Sequence, residues 1–140
     1  MNEYTYILDI RLYHPSVDPE QVSQTLGMTP KNKAKAGEPR FTPKGRRLEG
    51  VHSQSYWSCD PFDMRWCSSH ERSVDDALVD ILEVLEPHSD FLLELARDGR
   101  NTIWFSSHSN RNFTIEIPPD TLARLAALKI SLVHDVYQGE

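Results

Sequence analysis

The start of the chain shows an alternation of residue types that limits its fold more than any other feature. Apolar or aromatic side chains occupy every second position from Tyr4 to Leu12, whereas Asp9 and Arg11 fall on the alternate phase. Because successive side chains of a strand point to opposite faces, this pattern predicts a β-strand with one buried and one wet side. The protein should therefore contain a sheet that is covered on only one face.

Helices that can cover the buried face are predicted from periodicity and from end signals. Asp18-Pro19-Glu20-Gln21 supplies a capping residue followed by a proline at the first helical position. Ser73 caps a second helix, which runs to about Glu86 with apolar residues at i, i+3, i+4 and i+7 spacing. Two further helices are expected, one from Phe91 to Arg97 and one that begins at Pro118-Pro119-Asp120.

Strands are also predicted in the middle and at the end of the chain. One spans Val51 to Ser58, with Trp57 as its buried anchor. Thr102 to Ser107 and Asn112 to Ile117 are separated by a short polar segment, which predicts an antiparallel hairpin. A last strand alternates from Ile130 to Val136.

The order of these elements predicts the fold class. A mixture of strands and helices with short connections favours an α+β two-layer sandwich, in which helices cover one face of a largely antiparallel sheet of about four or five strands. A ferredoxin-like, split βαβ variant is the nearest named topology. With 140 residues, the chain can bury an adequate core as a single domain over 1–140.

Composition excludes several classes of protein. Charged residues interrupt every apolar stretch well before the ~20 consecutive apolar residues that a membrane-spanning helix needs. The segment from Met1 to Leu12 lacks the basic start and the unbroken apolar stretch of a signal peptide. Two cysteines, Cys59 and Cys67, are too few for a secreted disulfide scaffold. We therefore expect a cytoplasmic protein that does not span a membrane.

The segment 27–50 carries seven basic and two acidic residues and has no periodicity, which predicts a long basic loop with a short ordered piece near Phe41. Its side chains could contact an anion or a nucleotide. The sequence does not favour a nucleic-acid partner, because only Phe41 could stack on a base and no glycine-rich phosphate motif is present. A solvated loop is the alternative. The candidate anion-binding residues are Lys31, Lys33, Lys35, Arg40, Arg46 and Arg47.

The segment from Glu71 to Asp98 has the opposite character, with nine acidic and two basic residues. On the second predicted helix the acidic residues fall opposite the apolar ones, which predicts an acidic ridge that faces solvent. Such a ridge either keeps the protein soluble or attracts a basic partner protein, such as a toxin. Two aromatic residues expected at the surface, Trp66 and Tyr13, can anchor an interface. The candidate partner-binding residues are Asp76, Asp80, Glu83, Glu86 and Trp66.

Four residues of the types that carry metal or nucleophile chemistry lie close together in the sequence. His52, Cys59, Cys67 and His70 include the ligands of a zinc site, but seven residues between the cysteines do not make a metal-binding knuckle. The same set could include a cysteine nucleophile and its base, whereas no catalytic signature accompanies it. We therefore expect no catalytic residue, no metal site and no cofactor.

Three other residues are better explained by structure than by chemistry. Asp60 and Asp63 could act as an acid and base pair, but they lie in a Pro-containing segment where Asp is favoured for turns. His134 falls on the apolar phase of the last strand, where we expect a buried, hydrogen-bonded histidine.

Several caps and core positions together resemble one bacterial family. They are Asp18-Pro19-Glu20, Leu26-Gly27-Met28-Thr29-Pro30, Trp57 and the segments Leu122–Ala126 and Leu132–Tyr137. This combination covers nearly the whole chain and is similar to the domain-of-unknown-function family numbered 4279. The resemblance implies the fold and a bacterial origin, and it names no reaction. Some members of such small bacterial families are proposed as immunity proteins against a secreted toxin, and the resemblance implies a role of that kind.

Two functional hypotheses follow. The first is a non-catalytic protein-binding domain, with an immunity protein as its most specific form. The alternative is an anion- or nucleotide-binding module, or a small enzyme, built on the basic segment 27–50. None of these features predicts an oligomeric state.

Overall fold

The computed structural model describes residues 2–63 and 66–136 and has the predicted α+β class. Eight strands, four α-helices and one 3₁₀ turn make up this part of the chain. In chain order they are β1 (Thr5–His14), α1 (Pro19–Leu26), β2 (Asn32–Ala34), β3 (Pro39–Phe41), β4 (Arg47–Val51), β5 (Ser55–Cys59), β6 (Cys67–Ser68), α2 (Val74–Leu85), the 3₁₀ turn (Glu86–His88), α3 (Ser89–Asp98), β7 (Arg100–His108), α4 (Pro119–Ala127) and β8 (Ile130–Val136).

The first strand, β1, is at the centre of the main sheet, whose order is β2-β5-β1-β7-β8. On one side it pairs antiparallel with β5 from Ile10 to His14 and with β6 at Thr5 and Tyr6. On the other side it pairs antiparallel with β7 from Thr5 to Tyr13. The sheet is completed by β8, which runs parallel to β7. The sheet is therefore largely antiparallel, with one parallel pair at its edge.

The helices pack on the face of the sheet that carries the even-numbered residues of β1. Trp57 of β5 is 1% exposed and donates its indole N–H to the Ser23 hydroxyl of α1 at 2.9 Å. The Tyr6 hydroxyl donates to the Ser73 carbonyl, just before α2, and Asn101 donates its side-chain amide to a carbonyl of α3. The largest fully buried side chains of this core are Trp57, Tyr6, Leu8, Ile10, Leu78, Ile81, Leu82, Leu85, Leu92, Ile103, Val22 and Val74.

The last helix, α4, joins the same layer through polar contacts with α2 and the turn after it. Thr121 donates its hydroxyl to Asp75 at 2.6 Å, and Arg124 makes two hydrogen bonds to Glu86. Within residues 2–63 and 66–136, none of the helices has the length and apolar character needed to cross a bilayer.

The helix ends confirm the predicted capping signals. Asp18 accepts the backbone N–H of Glu20 at 3.0 Å, and Ser73 accepts that of Asp76 at 3.1 Å. Gly27 ends α1 in the left-handed conformation with φ 67°, which costs little for a residue without Cβ.

The predicted hairpin at 102–117 is wrong. Thr102–Ser107 does lie in a strand, but 112–117 has no regular structure and leads from β7 to α4. The free edge of β7 is taken by β8 in parallel, and a parallel pair requires a crossover connection. The alternating Phe113, Ile115 and Ile117 pack partly buried against the core without a strand partner.

The predicted loop over 27–50 is also corrected. It contains β2, which pairs with β5, and a two-stranded hairpin of β3 and β4 whose turn includes Gly45 at φ 89°. These strands are five residues or shorter and largely exposed, so the sequence has no hydrophobic alternation to indicate them. The strand predicted at 51–58 corresponds to β5, which begins only at Ser55.

A substitution at Gly99 tests how closely the backbone after α3 approaches β1. A Cβ on Gly99 would lie 2.2 Å from the Tyr13 carbonyl oxygen and 2.9 Å from that of Leu95, both backbone atoms that cannot move aside. Gly99→Ala is therefore expected to lower the free energy of unfolding by about 2 kcal/mol or more in urea denaturation. Gly27→Ala is the matched control, since no atom would contact its Cβ and the left-handed backbone alone costs about 1 kcal/mol. Equal losses for the two variants would contradict the close approach at Gly99.

Candidate binding site on the open sheet face

The odd-numbered residues of β1 point to the face of the sheet on which the described residues place no helix. Asp9 pairs with Trp104 of β7, and Arg11 pairs with Ser58 of β5. Residues paired in register lie on the same face, so these four side chains form one neighbourhood. We call them, together with Lys31, the Asp9 cluster.

The Asp9 carboxylate is held between two cations. Its Oδ2 atom lies 3.2 Å from Arg11 Nη2 and 3.6 Å from Lys31 Nζ. The Arg11 guanidinium in turn lies over the Trp104 ring, 4.4 Å from the ring centroid. Asp9 is only 9% exposed, and buried charges in proteins are normally paired in this way.

Four buried polar atoms of the Asp9 cluster have no hydrogen-bond partner among residues 2–63 and 66–136. They are Asp9 Oδ1, Arg11 Nε, Ser58 Oγ and Trp104 Nε1. Leaving such a group unpaired costs about 1–3 kcal/mol each, and folded proteins contain few of them. Their concentration on one face marks the Asp9 cluster as a candidate site, although a bound molecule would reach these atoms only after the side chains that cover them move.

Aromatic and basic side chains continue across the same face. The Tyr13 and Tyr56 rings lie 5.2 Å apart, and the Arg100 guanidinium lies 5.9 Å from the Tyr13 ring. Trp, Tyr and Arg are the side chains that contribute most to binding at protein interfaces. The open face therefore has the composition of a binding surface.

A groove lies next to the Asp9 cluster, where β5 ends at Cys59 and before β6 begins at Cys67. It has a volume of about 540 Å³. The Asp60 side chain accepts the Phe62 backbone N–H at 3.3 Å, so the predicted turn at this position is confirmed. The groove is lined by Ile7, Thr29, Pro30, Lys31, Asp60 and Asp63.

The predicted acidic ridge lies on the helical layer, away from the open face, and half of its charge is already paired. Asp80 forms an ion pair with Arg72, and Glu86 forms one with Arg124. The hydrogen bond from Arg124 holds the pKa of Glu86 below its usual value. Asp76 and Glu83 are exposed. Trp66, at 43% exposure, precedes β6. That Asp76, Asp80, Glu83, Glu86 and Trp66 bind a partner stays a prediction.

The six predicted anion-binding residues do not form one cationic cluster. Lys31, Lys33 and Lys35 form ion pairs with Asp9, Glu20 and Asp18, respectively. On the hairpin, Arg40 and Arg47 donate to the backbone carbonyls of Glu49 and Gly50, and Arg46 is exposed nearby. The three lysines already form ion pairs with carboxylates of the same chain, so the positions of these lysines do not support the anion-binding hypothesis.

The histidines and cysteines weighed as metal ligands are dispersed. Cys59 pairs with Ile10 and Cys67 with Tyr6, four positions or about 13 Å apart along β1. Burial, with smaller contributions from nearby carboxylates, raises the pKa of the Cys59 thiol to about 11. His52 follows the β3–β4 hairpin, and His70 is exposed beyond β6. In the described ranges, no three His, Cys, Asp or Glu side chains are grouped to hold a metal ion.

A serine and a histidine meet at the edge of the main sheet. Ser107 Oγ and His134 Nε2 are 2.5 Å apart, and the His134 ring stacks on Phe105. Ser107 is fully buried, so a substrate has no access to its hydroxyl. The expected hydrogen bond of His134 is therefore present, but the expected burial of this histidine is wrong, because β8 is the edge strand of the sheet and leaves His134 exposed.

The sequence indicates three of the five residues of the Asp9 cluster but not that they meet. The wet phase of β1 did indicate Asp9 and Arg11, and Lys31 was selected only as an anion ligand. Trp104 and Ser58 carry no local signal, because their meeting with Asp9 depends on the strand order. A long polar alternate phase in an otherwise apolar strand is the one feature that could have identified the site.

Thiol labelling tests the state of Cys59. At pH 8 a thiol with pKa about 11 is thiolate in only about one molecule in a thousand, and Cys59 is also 2% exposed. We expect iodoacetamide to leave Cys59 unmodified in the folded Cys67→Ser variant and to modify it fully in urea, as measured by mass spectrometry. Rapid modification in the folded variant would contradict the burial of Cys59.

The contacts of His134 with Ser107 and Phe105 predict a pH dependence of stability. Burial lowers the pKa of His134 in the folded state, an effect that Asp135 opposes in part. As pH falls through the unfolded value near 6.5, the unfolded chain binds a proton more readily, so stability decreases. His134→Gln should make the decrease between pH 7.5 and 5 shallower than in the wild-type protein, as measured by urea denaturation at each pH. An unchanged slope in His134→Gln would contradict this prediction.

Comparisons with known proteins define the family of this chain. A family model described as a domain of unknown function (DUF4279) matches residues 2–139. No curated protein and no solved structure matches the chain. Because the match extends over nearly all of its length, this chain belongs to the DUF4279 family.

Proposed function

We propose that this chain is a non-catalytic protein-binding domain whose partner docks on the open sheet face. The observation that carries the proposal is the Asp9 cluster, in which four buried polar atoms lack partners beside Trp104 and Arg11. A partner that supplies hydrogen bonds to these atoms would recover energy that the isolated protein does not gain. Tyr13 and Tyr56 extend the same surface with further interface-type side chains.

The open face is a better candidate than the acidic ridge on energetic grounds. Asp80 and Glu86 already form intramolecular ion pairs, and Asp75 accepts the Thr121 hydroxyl. A partner would have to compete with these intramolecular contacts. The exposed ion pairs that it could form with the ridge in exchange would stabilise the complex little. On the open face, by contrast, the unpaired atoms have no intramolecular contact to lose. The ridge then serves to attract a basic partner rather than to hold it.

An immunity protein is the specific form of this function that we propose. The partner would then be a basic toxin, attracted by a chain whose net charge is −6. The family description names no reaction. The binding role is therefore argued from the Asp9 cluster alone.

The test uses a toxin candidate encoded beside the gene, with affinity measured by calorimetry. Trp104→Ala should weaken binding at least tenfold, because truncating a central interface tryptophan typically costs about 2 kcal/mol or more. Leu122→Ala, which truncates an exposed apolar side chain of α4 in the helical layer, is the control and should change affinity less than twofold. Thermal unfolding of both variants confirms that they remain folded.

The opposite pattern would overturn the proposal. If Trp104→Ala leaves the affinity unchanged while Asp80→Lys with Glu83→Lys abolishes binding, the partner docks on the acidic ridge. If no neighbouring gene product binds the wild-type protein, the immunity role is lost.

A further inference from the structure

We infer that the cavity between α3 and the first residues of β7 and β8 binds a small organic carboxylate that has an apolar body and an N–H or O–H donor. We call this cavity, which has a volume of about 600 Å³, the α3 pocket. That volume is typical of small-molecule sites. Its lining residues in the described ranges all lie outside the Asp9 cluster, so a ligand can bind here whether or not a partner docks on the open face.

The connections of α3 and β8 create the α3 pocket. Gly99 joins α3 directly to β7, so the helix and the start of the strand face each other across the pocket. Asn101 of β7 pairs in register with Ile130 of β8, and the two strands are parallel. The first residues of both strands therefore lie at the same end of the sheet, where Lys129 and Ser131 complete the lining.

Asn101 supplies a buried acceptor without a partner. The residue is 1% exposed, and its side-chain N–H donates to the Leu92 carbonyl of α3 at 2.9 Å. This hydrogen bond fixes the orientation of the amide group and leaves Oδ1 unpaired among the described residues. Folded proteins leave few buried acceptors unpaired, and Asn101 lines the α3 pocket. Oδ1 is shielded from solvent, so the exposed side chains of the rim must turn aside before a ligand donor reaches it.

Two cations lie at the strand ends of the α3 pocket. Arg100 and Lys129 precede the register pair Asn101 and Ile130, which makes them neighbours across the β7–β8 ladder. Both side chains are exposed, and neither forms an ion pair within residues 2–63 and 66–136. A carboxylate between them would form charge-assisted hydrogen bonds without displacing an existing partner.

The other charges of the α3 pocket favour a ligand with one negative charge. Arg97 and Glu94 are already paired with each other, at 3.2 Å. Asp90 lies two turns before Arg97, about 10 Å along the helix axis, and Asp98 lines a neighbouring cavity. The acidic groups near the pocket would repel the second charge of a phosphate, whereas a carboxylate brings only one.

The wall formed by α3 suits an apolar body. Leu93 and Ala96 are half-buried and line the pocket. Arg100 and Asn101 are consecutive residues that both line it, so the carboxylate and the donor of the ligand should lie close together. An N-acylated apolar amino acid has this arrangement, because its carboxylate, its N–H and its side chain all start from one carbon. The last residue of a peptide has the same chemistry.

The test is a titration of the isotopically labelled full chain with N-acetyl-L-leucine, followed by NMR. The amide signals of Leu93, Asn101 and Lys129 should shift. N-acetyl-L-leucinamide, which lacks the charge, and inorganic phosphate should each bind at least tenfold more weakly. 4-Methylpentanoate keeps the carboxylate and the apolar body but has no N–H, and it should bind several-fold more weakly.

Matched variants separate the α3 pocket from the overall charge of the protein. Lys129→Gln should weaken binding of N-acetyl-L-leucine at least fivefold. Lys44→Gln makes the same change in net charge at an exposed position in the β3–β4 turn and should alter binding less than twofold. Thermal unfolding of both variants shows that they remain folded.

A peptide that ends in leucine distinguishes the two sources of this chemistry. Binding at least tenfold tighter than that of N-acetyl-L-leucine would assign the pocket to a peptide C-terminus. Equal binding would assign it to a free small molecule. Either result supports a carboxylate site.

Other outcomes would overturn the inference. They are no shift of the pocket signals at the highest soluble probe concentration, equal binding of the acid and its amide, or equal weakening by Lys129→Gln and Lys44→Gln. Equal binding of 4-methylpentanoate and N-acetyl-L-leucine would remove Asn101 as the acceptor. Trp104→Ala should leave binding of N-acetyl-L-leucine unchanged, so failure of the pocket and failure of the docking face can be told apart.

Discussion

The pairing of β1 on both of its sides is the constraint on which the rest of the structure depends. One side of the strand is shared by β5 and β6 and the other is taken by β7, so every residue of β1 belongs to one of two faces. The even-numbered residues are covered by helices and form the core. The odd-numbered residues are then forced onto the uncovered face, and Asp9 and Arg11 are placed side by side there. The polar cluster is thus a direct consequence of how the core is built.

Much of this arrangement could be predicted from the sequence, and its limits have physical causes. The alternation in β1, the caps at Asp18 and Ser73 and the amphipathic α2 are local signals, and all of them are found in the structure. The parallel pair of β7 and β8 could not be predicted, because Phe113, Ile115 and Ile117 alternate as a strand would while packing as a connection. Strand order depends on contacts between distant segments, which local patterns do not encode.

The candidate site could be predicted from the sequence only in part, because its charges pair across distant segments. Charge counts identified the acidic ridge and the basic segment, but counts do not show which charges are paired. In the structure, Lys31 of the basic segment forms an ion pair with Asp9, and Glu86 of the acidic ridge forms one with Arg124. Residues that the charge counts assign to a single patch therefore belong to separate ion pairs. Asp60 and Asp63 lie in a turn, as predicted, because the Asp60 side chain accepts the Phe62 N–H.

The pairing of β1 with β7 connects residues that are far apart in the sequence, and this affects folding during synthesis. Thr5 pairs with His108, so the central strand cannot complete its hydrogen bonding until more than 100 residues have left the ribosome. Until then the most apolar strand of the sheet has no β7 to shield it, and the growing chain must remain unfolded around it. The main sheet is therefore expected to complete its pairing only after β7 and β8 have been synthesised.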